Sequence, residues 1–583
     1  MKYIVIHGHF YQPPRFDPWW EEVRLEESAS PSPNWNERIF QECYLPNTQV
    51  WVKSPYGRMD RINNFRYISF NFGPTLLSWI VEKYPFFWKR ILLANKYSIS
   101  KLGSGNAIGM PYFHTILPLD SPRDRYTNIL WGIEEFKFRF GYRPKGIWLP
   151  EVALNMDVIG DLIRFGMEFV LLTVNQVREV RKKGKRWKET NPEIFNPCRI
   201  YEIPYGKTRI KAFFSHPHLS NLISFGRILD DAIRTGELIE DLLKGDDKDF
   251  IVALTDGETF GHHHKNSHKG LAYLLKYVLP KKNIEPVNFS FLSSNFHTEW
   301  EVKIWDNSSW SCAHGIGRWM TDCGCGKESG FNQRWRAPLR KALQFLKDYS
   351  DMVYEEVGKR IFISPWDARN DYIKVILEPV RKEWFFKKHL KKRSKEIALK
   401  LLEMQRWSLS MFTSCAWFFH EISGIETVEV LTFALRVIRY IEEITGENIE
   451  RKFLSYLEKA PSNIKEFKNG RGVWEKLVKF QEKRKEDIVS YLLLTYLFTG
   501  RDFYQRGRFF YNVKILNRIE DNTKVSFLGE MFVEDTITDE EDVFYFYAEK
   551  GKNIFLRISK EPFRSIKNIR SIKRERRGIV YSF

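Results

Sequence analysis

IVALTDGETFGHHH, running from Ile251 to His264, sets the architecture of this chain. It opens on uninterrupted apolar text that reads as a buried strand, and a carboxylate, Asp256, stands directly after it. GIWLPE, from Gly146 to Glu151, is built the same way: a short apolar run, then an acid. In a barrel of parallel strands, residues remote in sequence meet at one face, beyond the carboxyl ends of the strands. Two carboxylates placed there point to chemistry at a glycosidic bond.

Around these two motifs the first 300 residues repeat one pattern of short apolar strand, motif-bearing loop and amphipathic helix. Strands are predicted at Tyr3 to Ile6, Tyr67 to Phe72, Ala107 to Gly109, Gly146 to Leu149, Glu168 to Thr173, Ile210 to Phe214, Phe250 to Leu254 and Asn288 to Leu292. Between them, stretches such as Pro74 to Lys101 and Arg123 to Phe140 carry apolar residues at helical spacing. Seven or eight such units predict a parallel sheet closed into a barrel or near-barrel. After about residue 330 the strand signal gives way to long amphipathic patterns in Gln333 to Val357, Asp371 to Trp407 and Thr427 to Thr445. From about Val513 to Phe583 the text alternates as a short hairpin would. The boundaries drawn from this are a barrel over 1–310, a helical domain over 311–510, and a small segment over 511–583 packed on the helices.

A chain of 583 residues exceeds one ordinary domain and can bury several cores. The formal charge of +19 gathers after residue 370, in Arg381 to Lys395 and in Lys567 to Arg577. Acidic residues interrupt both runs and no nucleic-acid signature accompanies them, so they read as solvated helix faces. Six cysteines do not make a disulfide framework, and the apolar stretch in MKYIVIHGHF is too short for a signal peptide. No run approaches the roughly 20 apolar residues that span a bilayer. A cytoplasmic protein with no membrane or nucleic-acid partner is the expectation.

Polar residues recur just past the predicted strands: His7, His9 and Gln12 after the first, His114 after the third, Glu151 after the fourth, His216 and His218 after the sixth, Asp256 and Glu258 after the seventh. One histidine at a strand end is ordinary structure, whereas recurrence at one end of successive strands marks a shared site. With their neighbours these residues form ordered motifs: HGHFYQPP at His7 to Pro14, GMPYFHTILP with His114, WLPE with Glu151, TDGETFG with Asp256, and SSWSCAHGIGRW at Ser308 to Trp319. The set resembles family-57 glycoside hydrolases, and among them the longer members whose barrel is followed by a helical domain of unassigned role. The first motif departs from that family's tighter His-Gln-Pro, because Phe10 and Tyr11 stand between His9 and Gln12.

The resemblance implies an incomplete seven-stranded (β/α) barrel and a retaining mechanism on α-linked glucans or maltooligosaccharides, without a cofactor. It assigns Glu151 as nucleophile and Asp256 as general acid/base. Glu151 then needs donors or a cation to keep it ionised, and Asp256 needs a pKa near neutrality, with Glu258 as the expected source of repulsion. His9, Gln12, His114, Glu258, His262 and His314 are candidates for hydrogen bonds to sugar, and Trp148, Trp310 and Trp319 for stacking platforms. Two other readings stand beside this one. A metal-dependent deacetylase or α-mannosidase would draw ligands from His262, His263 and His264, although adjacent histidines rarely converge on one ion. A non-catalytic glucan binder would keep only the shell of the barrel. Separately, Cys312, His314, Cys323 and Cys325 form C-x-H-x8-C-x-C, the right residue types for structural zinc with a tight C-x-C step.

Overall fold

The structure, a computed structural model, describes residues 1–326, 328–391, 394–520, 523–563 and 578–583. The basic run read at Lys567 to Arg577 lies outside the described residues, as do positions 392 and 393 of the other run.

Six strands carry the barrel: β1 (Lys2–Phe10), β2 (Ser69–Phe72), β3 (Gly146–Ile147), β4 (Phe169–Thr173), β5 (Thr208–Ser215) and β6 (Phe250–Asp256). β1 is the hub, parallel to β6 along one edge and, along the other, to β2 at residues 7–10 and to the short strand Ile284–Pro286 at residues 2–4. Residues 107–109 make the seventh member with single bridges, Ala107 to Phe70 and Gly109 to Ile147. β3 pairs with β4 and β4 with β5, all parallel. Between β5 and β6 the described residues form no ladder; one bond, from the His216 N–H to the Val252 carbonyl at 2.8 Å, spans the gap. The barrel is therefore incomplete and seven-membered. β1 and β6 are all but fully buried, which is why their text is continuous rather than alternating.

Two elements differ from expectation. Asn288 to Leu292, expected as a strand, lies in the helix Phe289–Asn295, because the Asn288 side chain caps it by accepting from the Phe291 N–H. Phe289 and Leu292 are then buried three residues apart on one face. The run Pro74 to Lys101 is two helices, Pro74–Lys83 and Pro85–Leu102, since Pro85 offers no N–H to continue the first.

Past the barrel, the helices Arg336–Ile361, Lys395–Ser410 and Ile425–Thr445 bury their apolar faces on one another. The pattern at Asp371 to Trp407 is broken into Ile373–Leu377, Lys382–His389 and Lys395–Ser410. This helical core takes in Tyr112, Phe113 and Trp131 from the barrel side, so the two regions share apolar interior. The C-terminal β-text is more than a hairpin: β7 (Phe503–Arg506), β8 (Phe509–Glu520), β9 (Val525–Asp535), β10 (Glu540–Lys550), β11 (Ile554–Ser559) and β12 (Ile579–Ser582) form one antiparallel sheet. The helix Lys485–Thr499 covers it with Ile488, Leu492 and Leu493. Among the described residues no helix is long and apolar enough to cross a membrane.

Candidate active site

In the β1–β6 ladder, His9 stands opposite Asp256, so the ends of both strands deliver their polar residues to one place. Gly257, the next residue, lets the Asp-Gly-Glu turn lie on β1: a Cβ there would sit 2.4 Å from the Phe10 ring. Phe10 itself is core, packed with Tyr44, Phe65 and Phe72. Tyr11, the other residue that stretches the first motif, faces the site. Its ring stacks on His114 at 4.1 Å, and its N–H donates to Glu258 Oε1 at 3.1 Å.

Glu151 sits on a 3-10 turn, Pro150–Val152, that follows β3, and its backbone is left-handed (φ 55°). For a non-glycine residue that conformation is costly and is kept only where the surroundings impose it. The surroundings do: the Trp310 N–H bonds the Glu151 carbonyl at 3.0 Å, the Trp310 indole N–H donates to Glu151 Oε2 at 3.1 Å, and the Ser311 hydroxyl donates to the same oxygen at 2.6 Å. Burial lifts the Glu151 pKa, and the two donors and the Arg318 charge only partly oppose it. The expectation of a depressed pKa is thus corrected: the net shift is upward.

Asp256, the last residue of β6, is exposed, whereas the six residues before it are buried. Burial, followed by the charge of Glu151, raises its pKa to about 7. Repulsion therefore comes from Glu151, not from Glu258 as expected. Glu258 is buried, accepts from the Tyr44 hydroxyl at 2.5 Å, and is itself pushed up to about 8 by burial. It holds its own proton at neutral pH and has no charge with which to repel.

The histidines form a hydrogen-bonded chain. His7 Nδ1 lies 3.1 Å from Ser69 Oγ, which itself donates to the Asn106 carbonyl; His7 Nε2 lies 3.1 Å from Asn71 Oδ1, Asn71 Nδ2 3.0 Å from His9 Nδ1, His9 Nε2 3.2 Å from His114 Nε2 and His114 Nδ1 2.6 Å from Ser414 Oγ. Burial holds His7 and His9 at about 3 and His114 well below its ordinary value, so all three are neutral. Because every ring nitrogen of His9 and His114 is engaged inside the protein, these two brace the floor of the site instead of bonding sugar hydroxyls.

Other candidates are also relocated. Trp148 is 0% exposed and stacked on His7 and His9 at 5.0 and 4.7 Å, so it presents no face to a ligand. Trp319 is equally buried, with its indole N–H on the Ser414 carbonyl at 3.2 Å. Both are framework rather than platforms. Trp310 remains at the site as a donor to Glu151, half-buried and edge-on to Trp148 at 5.1 Å. Gln12 donates to the Tyr11 carbonyl at 2.9 Å. His262 is held by Glu42, and His314 is drawn to Cys325 at 3.4 Å. Among the described residues, the side chains that do converge with metal-ligand geometry are Cys312, His314, Cys323 and Cys325, and not the histidine run 262–264.

Residues 4–303, half of the chain, match glycosyl hydrolase family 57. The chain belongs to that family. Residues 331–579 match a domain of unknown function, DUF3536. Alpha-amylase 1 of Dictyoglomus thermophilum is 22% identical over 39% of this chain, and a 4-alpha-glucanotransferase of Thermococcus litoralis is 23% identical over 39%. The chain spans only 29% and 30% of those relatives' lengths. An exo-type maltose-forming amylase of Pyrococcus sp. ST04 shares the fold, with a TM-score of 0.60 at 14% identity over 84% of this chain and 94% of that one.

Within this family-57 chain, sequence reading missed Tyr11, Asn71, Ser311, Ser414 and Cys415. The Cys415 thiol lies 3.7 Å from the Tyr11 hydroxyl and feels the charge of Glu151, so the helical region walls the site. Ser311 was legible as the neighbour of Trp310 in the last motif. Ser414 and Cys415 carried no local signal, lying some 300 residues from His114.

Proposed function

We propose that this protein is a retaining glycoside hydrolase or transglycosylase on α-linked glucans, with Glu151 as nucleophile and Asp256 as general acid/base. The observation that carries this reading is electrostatic: Asp256 is raised to about 7 by burial and by the charge of Glu151. With a substantial part of its population protonated at neutral pH, Asp256 can give its proton to the leaving glycosidic oxygen while Glu151 attacks the anomeric carbon. Esterification then removes the negative charge of Glu151. With the repulsion gone, the Asp256 pKa falls, and the residue that served as acid is ionised in time to take a proton from the incoming hydroxyl. One pair of residues thus resets its own protonation at each half-reaction. The α-glucan class is supported by the amylase and glucanotransferase relatives.

The test is intermediate trapping. Rapid quenching with an activated aryl α-glucoside, followed by mass spectrometry, should find a glycosyl ester on the Glu151 peptide, enriched in Asp256→Asn and missing in Glu151→Gln. An ester elsewhere, or turnover surviving Glu151→Gln, refutes the assignment. Products from amylose, maltooligosaccharides and pullulan then separate hydrolysis, transfer and branching.

A further inference from the structure

We propose that Cys312, His314, Cys323 and Cys325 form a structural zinc site that fixes the loop from which Trp310 and Ser311 reach Glu151. Their ligating atoms all lie within 4.8 Å of one another. The distances are diagnostic. Cys312 Sγ is 3.9 Å from Cys323 Sγ and 3.8 Å from Cys325 Sγ, and Cys325 Sγ is 3.4 Å from His314 Nδ1. A tetrahedron with Zn–S of about 2.3 Å and Zn–N of about 2.0–2.1 Å has S···S edges of about 3.8 Å and S···N edges of about 3.5 Å. Three of the six edges of the cluster therefore already match a zinc tetrahedron.

Two rival explanations of the cluster fall short. A disulfide would use two sulfurs at about 2 Å separation and leave a third thiol and an imidazole with nothing to do. Burial as small apolar residues suits Cys43 and Cys198, which are fully enclosed, but Cys323 and Cys325 are only half-buried. They are also wrapped in donors. The Cys325 N–H points at Cys323 Sγ at 3.4 Å, and Arg336 Nη1 approaches the same sulfur at 3.6 Å. Such donors are what thiolate ligands need.

Charge supplies an independent argument. Arg336 is fully buried and bonds the Gln333 side chain and the Phe419 carbonyl, with no ion pair to a carboxylate among the described residues; Arg318, nearly as buried, has only the charge of Glu151 acting with it. Buried cations without a counter-charge are costly. Zinc binding displaces the thiol protons, so three thiolates and a neutral imidazole on Zn²⁺ carry one net negative charge beside these two guanidiniums. Three soft sulfurs and one imidazole in tetrahedral array, with no open corner, select zinc and suit a structural role over a catalytic one.

The site also has a mechanical consequence, which rests on the proposed role of Glu151. Cys312 directly follows Ser311 and Trp310, the two donors to Glu151 Oε2. On its other side, Gln333 takes the Gly324 N–H on its Oε1 at 3.1 Å and donates to the Cys325 carbonyl at 2.8 Å, just ahead of the helix Arg336–Ile361. The ion would thereby pin the catalytic loop to the helical domain.

Full-length protein prepared with zinc and without chelator should hold about one zinc per chain by elemental analysis, and the double variant Cys323→Ser/Cys325→Ser should hold none. Should that variant fail to fold, wild-type protein reconstituted with Co²⁺ decides, because tetrahedral thiolate ligation gives intense sulfur-to-cobalt charge-transfer absorption. Absence of both stoichiometric zinc and those bands overturns the site. So does zinc that persists in a folded double variant, or a Cys312–Cys325 disulfide recovered from the native protein. Zinc present in a protein that forms no glycosyl ester would leave the metal site standing and remove the assignment of Glu151; a zinc-free protein that forms the ester does the reverse.

Discussion

At the scale of single residues, Glu151 is under opposed pressures. Burial favours its neutral form, while Ser311, Trp310 and Arg318 favour the carboxylate that the proposed nucleophile role requires. The hydroxyl of Ser311, at 2.6 Å, is the shorter of the two donors. Ser311→Ala removes it and should raise the Glu151 pKa, since the lost bond stabilised only the ionised form. A hydrogen bond to a charged group is worth about 1.5–3 kcal/mol, so kcat/KM at neutral pH should fall roughly tenfold to a hundredfold. The acidic limb of the pH profile should move to higher pH while the alkaline limb, set by Asp256 near 7, stays. An unmoved acidic limb would show that Ser311 does not tune the nucleophile. The reciprocal experiment is Glu151→Gln, which removes the charge that helps lift Asp256. Carbon-13 NMR of labelled aspartate should then find the Asp256 pKa below about 7 and still above the ordinary carboxylate value, because burial remains. An unchanged titration would mean that the two acids are not coupled.

At the scale of elements, the ends of β1 and β6 make the site, and their contact rests on one glycine. Gly257→Ala would put a methyl carbon 2.4 Å from the Phe10 ring, which Tyr44, Phe65 and Phe72 hold in place. Overpacking of this kind costs about 1–3 kcal/mol, and any relief must shift either Phe10 or the turn bearing Asp256 and Glu258. A lowered melting temperature together with reduced kcat is expected; a variant with wild-type stability and rate would remove the glycine from the argument. The strand ends were readable in sequence because each buried parallel strand is continuous apolar text ending in a polar residue, as at Leu254 to Asp256. Asn288 to Leu292 misled because a short apolar run fits helix or strand, and the capping asparagine was the better signal. The role of His114 was harder to read: the residue that engages its Nδ1, Ser414, belongs to another region of the chain, and no local pattern announces such a pairing. Trp148 and Trp319 show the same limit, since an indole in a polar motif reads alike whether it faces a ligand or a row of histidines.

At the scale of the whole molecule, the barrel and the helical region are joined by polar ties as well as by shared apolar core. The stretch after β1 reaches across: Glu21 pairs with Arg406 through two bonds of 3.0 Å, and the Trp20 ring meets Phe509 of β8 at 5.6 Å. The more deeply buried tie is Asp124, in the first turn of the barrel helix Pro122–Phe140. Arg369 Nη1 bonds its Oδ1 at 2.7 Å and Lys347 Nζ lies 3.2 Å from the same oxygen, both from the helical region. Burial pushes the Asp124 pKa up, but Lys347 and Arg369 outweigh it and bring the group to about 2, below its ordinary 3.8. A depressed folded-state pKa contributes stability that is fully present above the unfolded value and is lost as pH falls through the folded one. The window for Asp124 is therefore about pH 4 down to about pH 2. Asp124→Asn leaves the buried Arg369 without its carboxylate, while Lys347 keeps Asp351, a loss of about 3–5 kcal/mol at neutral pH. Its melting temperature should lie well below that of the wild type at pH 7, and the gap should narrow between pH 4 and pH 2 as the wild-type carboxylate takes up its proton. A gap that stays constant to pH 2 would mean that the variant fails for reasons of packing, and that this charge does not hold the barrel to its helical partner.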